Sequence, residues 1–228
     1  MEESCNEKAA YLCHMMTSVD GRIDCAMTSL LPGVDYYATL DALNVPTTVS
    51  GRVTAELEMA EPGVFRAKDS TPLGKEGFSK AADAAGYEVV VDTHGKLLWP
   101  DAAEMEKPYL ILTSTQVPQE YLRYLDGQHI SWIACGENRI DLPRACEILA
   151  EQFGVERMGI VGGPAINTAF LNAGLLDEIS ILIGAGVDGR QEMPSVFDGR
   201  AMDYPLTHLH LADVKKFDSE AVWLRYTV

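Results

Sequence analysis

Basic residues are scarce in this chain: 18 Lys and Arg stand against 34 Asp and Glu among 228 residues, a formal net charge of −16. The deficit is spread along the sequence, which argues against nucleic-acid binding, because grip on a phosphate backbone needs a basic footprint. A phosphorylated small molecule stays open, since a few backbone N–H groups and single Arg or Ser/Thr side chains are enough to hold one. Cysteine is also sparse: Cys5, Cys13, Cys25, Cys135 and Cys146 are odd in number, and no pair is spaced C-x-x-C. That pattern reads as reduced thiols in a cytoplasmic protein. No apolar run approaches the ~20 residues of a membrane span, and the opening MEESCNEKAA is polar. There is no internal repeat and no H-x-E followed by P-C-x-x-C, so zinc-dependent deamination is excluded. His208 and His210 alternate along one strand without a third ligand nearby, and no metal is expected.

What remains is an ordinary globular balance, 47% hydrophobic and 23% charged, with one domain as the expectation and residues 1–9 as a disordered N-terminus. YLCHMMT (11–17) reads as a buried strand followed by the turn SVDGRID. PTTVSG is a second strand, leading into the helix GRVTAELEM with Thr54 as its candidate cap. Residues 60–86, loosened by Pro62, Gly63, Pro72, Gly74 and Gly77, form a long excursion of the kind that is functional or partly disordered. YEVVVD, YLILTST, HISWIAC, RMGIV and LDEISILIGA read as further strands, with helices at PQEYLRYL and at DLPRACEILAEQF, the latter entered through Asp141. HLHLADVKKF and EAVWLRYTV close the chain as a hairpin, which makes the sheet mixed.

Two glycine clusters compete for the role of phosphate cradle. GAGVDG (184–189) spells the dinucleotide fingerprint G-x-G-x-x-G, but RQEMPSVFDG after it has no helical periodicity and is broken by Pro194. It reads as a glycine-rich strand exit. VGGPA (161–165) has what a cradle needs: a strand end, two residues without Cβ, and Pro164 fitting the first turn of a helix that Gly174 stops. Orphan N–H groups and the positive helix pole would face an anion there. Close packing without a ligand is the bland alternative.

Four segments in register resemble one family. TSVDGRID (17–24), VSGRVTAE, EVVVDTHGKLLWPD and GIVGGPAINTAFLNAGLLDEISILIGAGVDG are similar to blocks of the reductase domain of bacterial riboflavin-biosynthesis deaminase–reductases, which has a dihydrofolate-reductase-like fold. The resemblance runs from about Tyr11 to the C-terminal hairpin. It implies a three-layer α/β/α sandwich around a mixed central sheet with a C-terminal antiparallel hairpin. It also implies an NADPH-dependent reductase transferring a hydride to a small heterocyclic substrate, a ribosylaminopyrimidine or a different compound of that kind, usually as a homodimer, with no nucleic-acid or membrane partner.

By the same resemblance the diphosphate of NADPH would lie on Val161, Gly162, Gly163, Pro164 and Ala165. Gly51, Arg52, Val53 and Thr54 would form a second phosphate-facing helix start, with Arg52 toward a 2′-phosphate. Thr93 would contact the coenzyme, and Thr17 would sit near the nicotinamide. Asp20 and Glu58 are the candidate proton donors, and His14, Ser18 and Arg66 the candidate substrate contacts. Three departures separate the chain from the family pattern: Val161 replaces the glutamate of E-G-G, His14 replaces a lysine, and EMAEPGVFR replaces D-D-P-x-L-x-x-R. They imply a differently shaped ligand, because an unpaired buried polar group costs about 1–3 kcal/mol. A non-catalytic nucleotide- or pterin-binding protein of the same fold is therefore the rival reading, and a purely structural dimerisation domain a weaker third.

Overall fold

The computed structural model describes residues 10–31 and 36–228; the expectation about residues 1–9 lies outside them. Ten strands form one sheet: β1 (Ala10–Thr17), β2 (Thr47–Gly51), β3 (Gly77–Ser79), β4 (Glu88–Val91), β5 (Tyr109–Thr113), β6 (Ser131–Ala134), β7 (Arg157–Ile160), β8 (Glu178–Ile183), β9 (His210–Lys216) and β10 (Val222–Thr227). Their spatial order is β3-β6-β5-β4-β2-β7-β1-β8-β10-β9. The seven central strands are parallel, while β3, β10 and β9 run antiparallel to their neighbours.

Burial on both faces explains why these strands read as continuous apolar runs. Tyr11, Cys13 and Met15 of β1 point into one core, with Val89 and Val91, Leu110 and Leu112. Helices α5 (Leu142–Phe153) and α6 (Pro164–Asn172) cover that face through Ile148, Leu149 and Phe170. The alternate residues face the other layer. There Val90 and Ile111 meet α3 (Arg52–Glu58) and α4 (Gln119–Gly127), and Leu12 and Met16 meet α2 (Tyr36–Ala42). A short α1 (Cys25–Thr28) follows the first turn. The result is a three-layer α/β/α sandwich with a mixed sheet, ending in the β9–β10 hairpin.

Asp141 caps α5 by accepting from the amide of Arg144 at 3.2 Å, as its sequence position predicts. Thr54 does not cap α3. The helix begins earlier, at Arg52, with Gly51 in the N-cap position, because β2 continues straight to that glycine. The excursion over 60–86 is tied down at several points. Phe65 packs on Tyr121 and Tyr124 with centroids 4.9 and 5.0 Å apart, and β3 adds to the sheet edge at β6.

The connection from β6 returns the chain across the sheet and inserts β7 between β2 and β1. The strand order reverses there, and in parallel α/β sheets the crevice beyond the C-terminal strand ends at such a point is where ligands bind.

Candidate functional site

The reversal point brings two helix starts side by side. β2 runs through Gly51 into α3, and β7 runs through 161–163 into α6. The amide of Gly51 donates to the carbonyl of Gly162 at 2.8 Å, and that of Val161 to Val49 at 2.9 Å, so the two turns are stitched together. Neither helix has a side-chain cap. Two positive helix poles, each with amides that no side chain satisfies, therefore meet at one corner.

The three glycines differ in what they leave room for. A Cβ on Gly51 would meet Cγ1 of Ile166 at 2.9 Å, so this glycine lets α3 pack against α6. Gly162, joined to Gly163 by a cis peptide, has φ +112°, a conformation L side chains rarely adopt. A Cβ on Gly163 would meet nothing within 4 Å. The space in front of Gly163 is open, and a diphosphate fits a concavity of this kind: small residues, facing amides, and no carboxylate at the helix starts. Val161, Pro164 and Ala165 line the same turn, with Ala165 exposed. Arg52 is exposed and ion-paired with Glu56 one turn along α3.

The corner beyond β1 and β8 is closed by charge. Ser18 donates its hydroxyl to Asp20 at 2.6 Å and accepts the amide of Arg22 at 3.1 Å. Asp20 also accepts the amides of Asp188 and Gly189 at 2.9 and 3.0 Å. Arg190 pairs with Asp188 and, at 2.6 Å, with Asp24. The Ser18 hydroxyl and the two amides hold the Asp20 carboxyl far below the usual carboxylate range. A carboxylate so saturated is poorly suited to donating a proton; its geometry is that of a clip joining the 18–24 turn to the 184–190 loop. Asp20→Asn is therefore expected to loosen the 184–190 loop, seen as faster amide exchange at Asp188 and Gly189 in the variant. Unchanged exchange there would show that Asp20 does not hold the loop.

GAGVDG is part of the same clip. Gly184 donates to the carbonyl of Thr17 at 2.8 Å, and both Gly184 and Gly186 give way to Leu31, where a Cβ would come within 2.5 Å. No helix follows the loop before β9.

His14 needs correction as a substrate contact. Its side chain is fully buried on the α2 face of β1, with Nδ1 2.9 Å from Ser180 Oγ and Nε2 3.0 Å from Thr39 Oγ1. Thr39 donates to the carbonyl of Tyr36, and Trp223 Nε1 donates to Ser180 at 2.7 Å. These directions make His14 a donor at Nε2 and an acceptor at Nδ1. Burial pushes its pKa down to about 4, against smaller upward contributions from its hydrogen bonds and from Glu178. Alternation along β1 put this residue on the sealed face, a matter of sheet pairing that no local motif encodes. Ser18 is likewise buried, with its hydroxyl spent inside the turn.

Glu58 is exposed at the C-terminal end of α3, the end away from Gly51, so the structure does not bring it to Asp20. Thr17 ends β1, and Thr93, half-buried, follows β4; its carbonyl accepts from the hydroxyls of Thr113 and Ser114. Arg66 opens onto a cleft shared with His94 and Lys96, which sequence reasoning passed over. The available signal was the pair of basic residues bracketing Gly95 immediately after a strand. Among the described residues no cluster of His, Cys, Asp or Glu could hold a metal ion.

Comparison with known proteins agrees with this architecture. A family model described as the RibD C-terminal domain matches residues 11–223. The 2,5-diamino-6-ribosylamino-4(3H)-pyrimidinone 5′-phosphate reductase of Methanothermobacter thermautotrophicus is 27% identical over 124 residues, covering 54% of this chain and 56% of that protein. The match thus spans little more than half of either protein. A pyrimidine reductase-like protein from Corynebacterium diphtheriae superposes with a TM-score of 0.70 at 18% identity, covering 97% of this chain and 92% of its own. The riboflavin biosynthesis reductase of Saccharomyces cerevisiae gives 0.63 at 17% identity, over 99% and 92% of the two chains. RibD of Acinetobacter baumannii gives 0.64 at 20% identity, over 97% of this chain and 58% of the longer one. At these identities the structural likenesses establish the fold.

Proposed function

Because the chain belongs to the RibD C-terminal domain family, we propose that it is an NADPH-dependent reductase passing a hydride to a small heterocyclic acceptor of the ribosylaminopyrimidine kind. The observation that carries this reading is the pair of uncapped helix starts at Gly51 and Gly163, joined by a hydrogen bond and open in front of Gly163. When bound, the nicotinamide supplies the hydride from its C4. The chain's own work is placement. Gly162, Gly163 and the first turn of α6 hold the diphosphate through backbone amides, aided by Val53 and Thr54 at the start of α3. Thr17 flanks the nicotinamide end, and Thr93 the adenosine end, three strands away on the other side of β7 and β2. With Asp20 saturated, the proton that accompanies the hydride comes from water.

The domain acts as one unit. The rim of β9, all seven residues of which are exposed, supports pairing with a second copy. Buried free thiols at Cys13, Cys135 and Cys146 suit the cytoplasm.

A second reading, binding without turnover, is favoured by one observation. His14, Ser18 and Asp20 all spend their polar atoms inside the protein, so these three offer a substrate no free group at the β1 corner. Titration with NADPH while following nicotinamide fluorescence, then loss of reduced-nicotinamide absorbance with a panel of ribosylaminopyrimidines and related imines, separates the two. Binding with oxidation is expected. Binding without oxidation on any acceptor would establish the second reading, and absence of binding would refute both.

A further inference from the structure

Along the C-terminal half of α6, the segment 197–209 and the start of β8 enclose a cleft of about 360 Å3. Leu171, Ile179, Phe197 and Leu206 make most of its surface apolar, and the exposed Asp198 and half-buried Arg200 complete the lining. We infer that this cleft is a binding site for an apolar α-amino acid, with the side chain inward and the zwitterionic head on Asp198 and Arg200. The site is separate from the diphosphate cradle and does not depend on the reductase reading.

Hydrogen bonds fix the frame. Asn167 Nδ2 donates to the carbonyl of Val196 at 2.8 Å, and the amide of Asp198 donates to Thr168 Oγ1 at 2.9 Å, which ties the segment to α6. Ser195 donates its hydroxyl to the carbonyl of Phe197 at 2.7 Å. Arg200 lies over the ring of Tyr204, 4.2 Å from its centroid. It donates from Nε to Asn172 Oδ1 at 2.8 Å and from Nη1 to Thr207 Oγ1 at 3.0 Å. Between acid and base the chain turns at Gly199, whose φ is +90°.

The two charges do not meet. Among the described residues neither Asp198 nor Arg200 forms an ion pair, although only Gly199 separates them in the chain. One oxygen of Asp198 accepts the amide of Gly199 at 2.7 Å. The partners of Arg200 are neutral oxygens, so its guanidinium keeps N–H donors for a ligand and its charge stays uncompensated. A monocarboxylate would meet Arg200 but be repelled by Asp198, and a simple amine would suffer the reverse. The head of an α-amino acid carries both charges close together and answers both at once. The apolar part of the lining suits its side chain: Leu206 is 79% exposed, and covering it with an aliphatic group removes apolar surface from water. The volume falls in the range of small-molecule pockets, about 300–1,000 Å3.

The test is Asp198→Asn, which keeps an oxygen for the amide of Gly199 and removes only the charge; the thermal midpoint checks the fold. Calorimetry would compare L-leucine with 4-methylpentanoate, which lacks the ammonium, 3-methylbutylamine, which lacks the carboxylate, and glycine, which lacks the side chain. On wild type L-leucine is expected to bind at least roughly tenfold tighter than any of the three. Asp198→Asn should weaken L-leucine by roughly 10- to 100-fold while binding 4-methylpentanoate no more weakly than wild type does. Equal affinity for L-leucine in both proteins, or no preference for L-leucine over the three partial analogues, would overturn the inference. Sedimentation velocity addresses the other occupant: a wild-type dimer that Leu206→Asp dissociates and L-leucine leaves intact would give the cleft to a second copy and equally overturn it. NADPH is titrated separately, so the amino-acid site and the coenzyme reading stand or fall apart.

Discussion

Replacing Gly163 by valine is expected to weaken NADPH binding at least roughly 100-fold while costing the fold no more than about 1 kcal/mol. The backbone at Gly163, φ −82° and ψ −165°, is extended and open to any residue. Its Cβ would project into space with no atom within 4 Å, so the added methyl groups displace nothing that belongs to the protein. They fill the concavity where the diphosphate is proposed to rest, and each amide contact to a charged oxygen so lost is worth about 1.5–3 kcal/mol. The neighbouring glycines are poorer probes. An alanine at Gly51 collides with Ile166, and at Gly162 it demands φ +112°. Fluorescence titration paired with a thermal melt reads both halves of the result. A variant that melts like wild type and still binds NADPH like wild type would remove the cradle from this corner.

Acid should unfold the protein through His14. In the unfolded chain a histidine takes up its proton near its ordinary pKa of about 6.5. In the folded protein burial delays that to about 4. Between those values the unfolded state binds the extra proton, so stability falls as pH is lowered through this window and is retained in full above it. The difference corresponds to roughly 3 kcal/mol lost by pH 4, at about 1.4 kcal/mol per unit. Its physical origin is the chain Trp223–Ser180–His14–Thr39, which has no acceptor for a second ring proton without orphaning the Ser180 hydroxyl. His14→Gln keeps a polar side chain but does not titrate. Urea-unfolding free energies measured from pH 7 to pH 4 should fall more steeply for wild type than for the variant, and parallel curves would show that His14 carries no such linkage.

The sheet was legible because parallel strands buried on both faces leave runs such as EVVV and YLILT that few other environments tolerate. The strand-to-helix turn at 161–165 was legible for a related reason: two glycines and a proline directly after a strand leave few alternatives to it. GAGVDG lacks a following helix, and its loop is held by Asp20, Thr17 and Leu31. What could not be read was which face a residue takes and what meets it from afar. His14 falls in a promising segment yet is turned inward by the pairing of β1 with β8, and Ser18 by the turn that closes on Arg22. Asp20 looked free in the sequence because its partners lie at 188 and 189. Arg66 and Lys96 are brought together by an aromatic stack that involves Tyr121 of α4, a helix distant from both loops in sequence.

The late insertion of β7 between β1 and β2 has a consequence for biogenesis. The two helix starts at Gly51 and at Gly163 meet only when a strand made far downstream enters a slot between strands made early. High contact order of this kind slows folding. Until then a nascent chain carries β1 and β2 with open rims, the segment most exposed to misassociation. Fragments ending before Arg157 lack β7 and the start of α6, so the two helix starts are brought together only after more than half of the chain has been made.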